Sequence, residues 1–228
     1  MNKILNFVSV LKEKVQLTET IYRLKYQVPV GFVYTPGQFV GARVLPTHTR
    51  AYSIVGLKDN LLELLIDIKP SGRASKYFAE TQVGHEVQIL GPYGIYGIKS
   101  DLPNKVFIST GTGISPFIPM IKSLDINKVN INCLFGVRFD SHDIAYSYFE
   151  NMLGSNFKYY QCVTREDPVK PYSIKGRVTD VLPQLILDGK INVEDTEFYI
   201  CGANEMIADV VDELKSKGAD KIYFEKYG

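Results

Sequence analysis

The sequence predicts an N-terminal antiparallel β-barrel followed by a C-terminal α/β domain with a five-stranded parallel sheet. Three observations carry this. Short runs that alternate apolar and polar residues, separated by turn residues, fill the first part of the chain. After Gly91-Pro92-Tyr93-Gly94 the rhythm changes to apolar runs alternating with helical patterns of roughly 10–15 residues. A glycine-bearing turn, Ser109-Thr110-Gly111-Thr112-Gly113, then joins the first strand of that second part to a helix.

Taken in order, residues 3–15 and 21–28 alternate as half-buried strands do. Pro29, Gly31, Pro36 and Gly37 mark turns before a strand over 38–44, and further strands follow over 51–56, 61–68 and 87–90. One helical pattern, 73–80, opens at Ser71-Gly72. Strands this short and this regularly spaced suggest closure into an antiparallel barrel. In the second part, strands over 106–108, 129–135, 157–163 and 197–200 precede helices over 114–124, 143–153, 177–187 and 204–217, and a strand over 221–224 ends the series. That alternation implies a parallel sheet covered on both faces. The boundary falls among polar and turn residues near 97–103, giving domains 1–99 and 100–228.

Composition removes several function classes. A net charge of +1, with no basic cluster interleaved with aromatics, gives no sign of nucleic acid. The N-terminus has neither a long apolar segment nor a cleavage pattern, and no run approaches a membrane span, so the expectation is a cytoplasmic protein. Cys133, Cys162 and Cys201 are scattered without Cys-x-x-Cys spacing, and His48, His85 and His142 stand far apart. No metal site or iron–sulfur cluster is signalled.

Two stretches look built for anions. The turn at Gly111-Thr112-Gly113 stands where a strand ends and a helix begins, which leaves backbone N–H groups and the helix dipole facing a ligand. The pattern is Gly-x-Gly-x-x-Pro, ending at Pro116, and the next strand ends at Val137-Arg138 with no acid placed for a ribose hydroxyl. An ordinary dinucleotide fingerprint is therefore disfavoured. The second stretch, Lys69-Pro70-Ser71-Gly72-Arg73-Ala74-Ser75, opens a helix with a serine in its first turn, which also describes a plain capped helix. In Arg50-Ala51-Tyr52-Ser53, Arg50 and Tyr52 share a strand face. A guanidinium suits a phosphate and a ring beside it suits a planar heterocycle, but a barrel strand with a surface arginine and a half-buried tyrosine reads the same way.

Arg-x-Tyr-Ser, Gly-Arg-x-Ser, Gly-Pro-Tyr-Gly, Gly-Thr-Gly-Ile-Ser-Pro-Phe and Tyr-Ile-Cys-Gly occur in this order along the chain. In this the sequence resembles the ferredoxin–NADP reductase superfamily, as a stand-alone reductase without an iron–sulfur domain. The resemblance implies that Arg50 binds the flavin phosphate, that Tyr52 packs on the isoalloxazine and that Ser53 bonds near the ring nitrogen that accepts hydride. It implies a pyrophosphate held at Lys69, Gly72 and Ser75, and the nicotinamide nucleotide's pyrophosphate at Thr110, Gly111, Thr112 and Gly113. Cys201 and Gly202 would line the nicotinamide pocket, Glu225 would lie near it, and Tyr227 would cover the flavin, although here an extra Gly228 follows. Ala51, Ile66, Ile68, Arg73, Ala74 and Arg138 complete the implied cofactor contacts. Thr164-Arg165 matches the pair that binds the 2′-phosphate in NADP-using members, though Arg165 also reads as a solvated loop arginine. Ser53, Cys201 and Glu225 are the catalytic candidates.

The implied activity passes hydride from NADPH, or NADH, to bound FAD rather than FMN, and then electrons to a ferredoxin or flavodoxin. Two other branches share the motifs: an NAD(P)H:flavin reductase that takes free flavin as substrate, and an electron-transfer subunit of an oxygenase or dehydrogenase. A monomer is expected.

Overall fold

The computed structural model of the protein describes residues 2–69 and 72–226. Its chain divides into two units, Met1–Ile98 with Ser115–Ser123, and Lys99–Ile114 with Leu124–Gly228.

The first unit is built on β1 (Leu5–Gln16), β2 (Ile21–Gln27), β3 (Phe39–Leu45), β4 (His48–Lys58), β5 (Leu61–Asp67), α1 (Arg73–Glu80) and β6 (Glu86–Tyr93). The strands close into an antiparallel barrel in the order β1-β2-β5-β4-β3-β6. Alternation does the work expected of it. Leu62, Leu64 and Ile66 on β5, Leu24 and Tyr26 on β2, and Val40 and Ala42 on β3 fill the interior. Helix α1 adds Phe78, which is fully buried in the same core. A further helix, α2 (Phe117–Lys122), groups with the barrel, where Phe117 meets Tyr96 at 6.2 Å. The helix expected over 114–124 is therefore two pieces: a 3-10 turn over Gly111–Ile114 comes first, and α2 follows Pro116.

The second unit carries β7 (Asn104–Thr110), β8 (Asn130–Val137), α3 (Tyr146–Phe149), β9 (Phe157–Val163), β10 (Ser173–Lys175), α4 (Val178–Leu187), β11 (Thr196–Gly202), α5 (Asn204–Ser216) and β12 (Ile222–Lys226). Its parallel sheet has six strands, in the order β10-β9-β8-β7-β11-β12, where the sequence predicted five. The additional strand is β10, three residues pairing with Gln161, Cys162 and Val163. With a single apolar residue, Ile174, it is too short to show a period. The helix expected over 143–153 is reduced to the four residues of α3 and a 3-10 turn over Glu150–Met152, with a separate 3-10 turn, Asp140–His142, before it. Asp143 Oδ1 accepts the Ala145 and Tyr146 N–H groups, which delays the helix start. Phe149 then turns inward against Phe157 at 5.4 Å.

One face of the sheet is apolar. Val106, Ile108, Leu134, Phe198 and Ile200 pack against Val181 and Leu182 of α4 and Ile207 and Val210 of α5. Register places Lys105 beside Glu197, Phe107 beside Tyr199 and Ser109 beside Cys201 on the opposite face.

Candidate functional site

In the barrel, β4 presents Arg50, Ala51, Tyr52 and Ser53 across from Ala42, Gly41, Val40 and Phe39 of β3. Arg50 and Ala51 are exposed, Tyr52 is half-buried and Ser53 is buried. The Tyr52 ring stands edge-on to Phe78, with centroids 5.3 Å apart and planes at 88°. Burial pushes its phenol up to about 12, against the opposing pull of Arg50, so at neutral pH it is an uncharged ring with a hydroxyl. Such a ring can lie against a flat heterocycle without an electrostatic penalty.

Gln38, expected as the first residue of the strand over 38–44, stands just before β3 and has a structural role that the sequence did not signal. Its Oε1 accepts the Thr35 N–H at 2.8 Å, its Nε2 donates to the Gly94 carbonyl at 3.2 Å, and its own carbonyl takes the Ile54 N–H at 3.0 Å. One side chain and one peptide thus tie two loops to the strand that carries Tyr52 and Ser53. The adjoining Gly37 is required: its φ is +95°, and a Cβ there would stand 1.5 Å from the Tyr96 carbonyl oxygen.

Among the described residues, no side chain caps the N-terminus of α1. Gly72, its N-cap residue, is extended and supplies no side-chain cap, so the first-turn N–H groups at Arg73, Ala74 and Ser75 have no side-chain partner from it. Ser75 Oγ accepts the Lys69 N–H at 3.0 Å, which leaves its own proton to donate. A Cβ on Gly72 would press on Ser75 Oγ at 3.1 Å. Arg73 Nη1 lies 3.3 Å from His48 Nε2, and Lys69 pairs with Asp67. Ile66 is in the barrel core and Ile68 is half-buried. Pro70, Ser71 and Tyr227 lie outside the described residues.

In the second unit, the turn after β7 is shaped by its glycines. Gly111 has φ +56°. A Cβ on Gly113 would come within 2.3 Å of the Cys201 carbonyl oxygen. Thr110 Oγ1 accepts the Ala203 N–H at 3.2 Å and so clasps the ends of β7 and β11. At these ends Ser109, Cys201 and Glu225 form one row across β7, β11 and β12. Cys201 is fully buried. Ser109 Oγ and Glu225 Oε2 are buried without a hydrogen-bond partner among the described residues. Burial also raises the Glu225 carboxyl above its ordinary range. Two orphaned polar atoms on either side of one thiol suit a ligand with its own donors and acceptors, such as a carboxamide.

Beyond β8 and β9 the chain is zipped together. Thr164 donates both its N–H and its hydroxyl to the Val137 carbonyl at 3.2 Å, and the Arg165 N–H donates to the Arg138 carbonyl at 2.9 Å. Two exposed arginines are thereby fixed side by side through their backbones. The nearest acid after β8, Asp140, is buried inside the loop, and its N–H is taken by Glu166 Oε1. Its carbonyl takes Lys170 Nζ at 2.6 Å and Gln161 Nε2 at 2.8 Å. Among the described residues, no three His, Cys, Asp or Glu side chains are grouped to hold a metal ion.

Residues 9–97 match the family model of an oxidoreductase FAD-binding domain, and residues 107–212 match that of an oxidoreductase NAD-binding domain. The chain belongs to the ferredoxin–NADP reductase superfamily. Among curated relatives of this superfamily member, the toluate 1,2-dioxygenase electron transfer component of Pseudomonas putida is 28% identical over 203 residues, covering 85% of this chain and 59% of its own length. The propane 2-monooxygenase reductase component of Rhodococcus jostii is 27% identical over 222 residues, covering 90% of this chain and 58% of its own. The chain thus spans well under two thirds of these relatives. A ferredoxin NADP+ reductase from Neisseria gonorrhoeae, solved with FAD and NADP, superposes with a TM-score of 0.85 at 21% identity over 98% of this chain and 99% of that one. The α1 N-terminus without a side-chain cap, the neutral Tyr52 ring and the orphaned atoms beside Cys201 fit the two nucleotides that such domains bind.

Proposed function

We propose that this protein is a flavin-dependent NAD(P)H oxidoreductase that passes electrons to a ferredoxin- or flavodoxin-like protein or to an oxygenase component. Residues 1–99 would form the FAD-binding domain and residues 100–228 the NAD(P)-binding domain. The row Ser109–Cys201–Glu225 carries this reading, because its orphaned atoms stand at the carboxyl ends of parallel strands, beside a turn whose Gly111 faces open space. The relatives named above, an electron transfer component and a reductase component of oxygenases, support an oxygenase system as the acceptor.

FAD held in the barrel would supply the chemistry, hydride acceptance from NADPH and release of single electrons to an acceptor. The chain's own part is placement. Arg50 and the α1 N-terminus would neutralise phosphate charge, Tyr52 would cover the ring, and Ser53 would offer it a buried hydroxyl. Ser109 and Glu225 would hold the carboxamide so that the nicotinamide lies against Cys201, which shapes the pocket without forming a bond. Arg138 and Arg165 would meet a 2′-phosphate, which favours NADPH over NADH.

The purified protein should be yellow, release FAD on denaturation, and oxidise NADPH in the presence of a one-electron acceptor without added flavin. A colourless protein active only with added flavin would assign it to the NAD(P)H:flavin reductases instead.

A further inference from the structure

Lys105 and Glu197 form an ion pair whose side chains are 1% and 0% exposed. Taking both charges out of water costs more than their attraction alone returns, so a pair this deep is not explained by stability. Its surroundings suggest what it does. Lys105 Nζ also donates to the Ser100 carbonyl at 2.9 Å. On β11, two residues beyond Glu197, the Tyr199 hydroxyl accepts the Lys99 N–H at 2.8 Å. Consecutive residues of the chain, Lys99 and Ser100, therefore end on side chains of the adjacent strands β11 and β7. Lys99 is also the residue at which the chain enters the second unit.

Tyr199 is itself immobilised. It stacks on Phe107 with centroids 5.1 Å apart and planes at 15°, and meets Tyr223 at 5.4 Å. Burial, with the Glu197 carboxylate adding to it, raises the phenol well above its ordinary range, so it remains a neutral hydroxyl. The row Ser109–Cys201–Glu225 lies two residues further along the same strands, about 7 Å away.

We infer that Lys105, Glu197 and Tyr199 are positioning residues. They fasten the chain at Lys99–Ser100 against β7 and β11, the strands that carry Ser109 and Cys201, and thereby set how fast flavin is reduced by bound nucleotide. The kinetic half of this inference rests on the function proposed above; the fastening does not.

Tyr199→Phe keeps the ring stack and removes the hydroxyl that accepts the Lys99 N–H. Hydrogen exchange of the Lys99 amide in this variant should quicken at least tenfold. Single-turnover flavin reduction at saturating NADPH should slow three- to tenfold, with FAD content unchanged and the Kd for NADPH within twofold. Unchanged exchange at Lys99 would overturn the fastening, and faster exchange with an unchanged reduction rate would overturn the positioning role. The pair Lys105→Met with Glu197→Met removes both charges together and should release Ser100 with the same split between rate and Kd. A wild-type protein that neither holds FAD nor oxidises NADPH would defeat the functional reading, while the exchange result would still decide the fastening.

Discussion

A Cβ on Gly202 would stand 2.4 Å from Thr110 Oγ1, the same oxygen that receives the Ala203 N–H. The two residues are thus fitted to each other at the ends of β7 and β11, where the nucleotide turn begins. Gly202 has φ +149°, a conformation that an L side chain rarely adopts. Gly202→Ala should cost about 1–3 kcal/mol of stability, from strain and from loss of the clasp. It should raise the KM for NADPH while FAD content stays the same. Denaturant melts and steady-state kinetics check this.

Ser75 serves two partners in this reading, the Lys69 N–H and a phosphate. Ser75→Ala leaves α1 intact but removes one hydroxyl from the anion site, so FAD affinity should fall about tenfold, which is one hydrogen bond to a charged group. Titration of apoprotein with FAD measures it. An unchanged Kd would take Ser75 out of the site.

Arg165→Ala should raise the KM for NADPH about tenfold or more, the loss of a charge-assisted contact, and leave the KM for NADH within about twofold. Equal effects on both nucleotides would place the arginine elsewhere. Arg138→Ala should act in the same direction, because the backbone bond to Arg165 fixes the two as neighbours.

Glu225 carries a carboxyl raised by burial. The sign follows from linkage: the unfolded chain releases this proton first, so the contribution to stability is full below the ordinary carboxyl range and is lost as pH rises through the raised value. Glu225→Gln removes that dependence. Denaturation across pH 4–8 should show the wild type losing stability relative to the variant toward the upper end. If Glu225 also relays a proton, the variant should slow flavin turnover; unchanged rates of flavin reduction and oxidation would exclude it from the mechanism.

Gln38→Ala removes the bonds to Thr35 and Gly94 without touching β4 itself. FAD affinity should fall about threefold to tenfold through loosening of the strand's support, since each lost bond is worth about 1 kcal/mol. Flavin fluorescence against added protein reads it.

The sequence determined the two architectures, because both rest on periodicity. Alternating residues in β2, β3 and β5 can be buried only as strands, and the strand–helix rhythm after Gly94 requires parallel pairing. It also named the motif residues, since Arg50, Tyr52, Gly113 and Cys201 lie in short contiguous patterns. Tertiary structure decided what depends on distant neighbours. β10 is a strand because Gln161, Cys162 and Val163 offer it an edge, not because its own three residues prefer one. The end of β8 does have an acid near it, Asp140, but the loop of residues 164–170 folds over it and takes it out of reach. Lys105 and Glu197 are separated by 92 positions in the sequence, and no local pattern marks a lysine that will be buried. Their pairing, the hold of Gln38 on β4 and the row Ser109–Cys201–Glu225 arise when strands far apart in the chain become neighbours, because hydrogen bonds and desolvation act over ångströms in space and not over intervals of sequence.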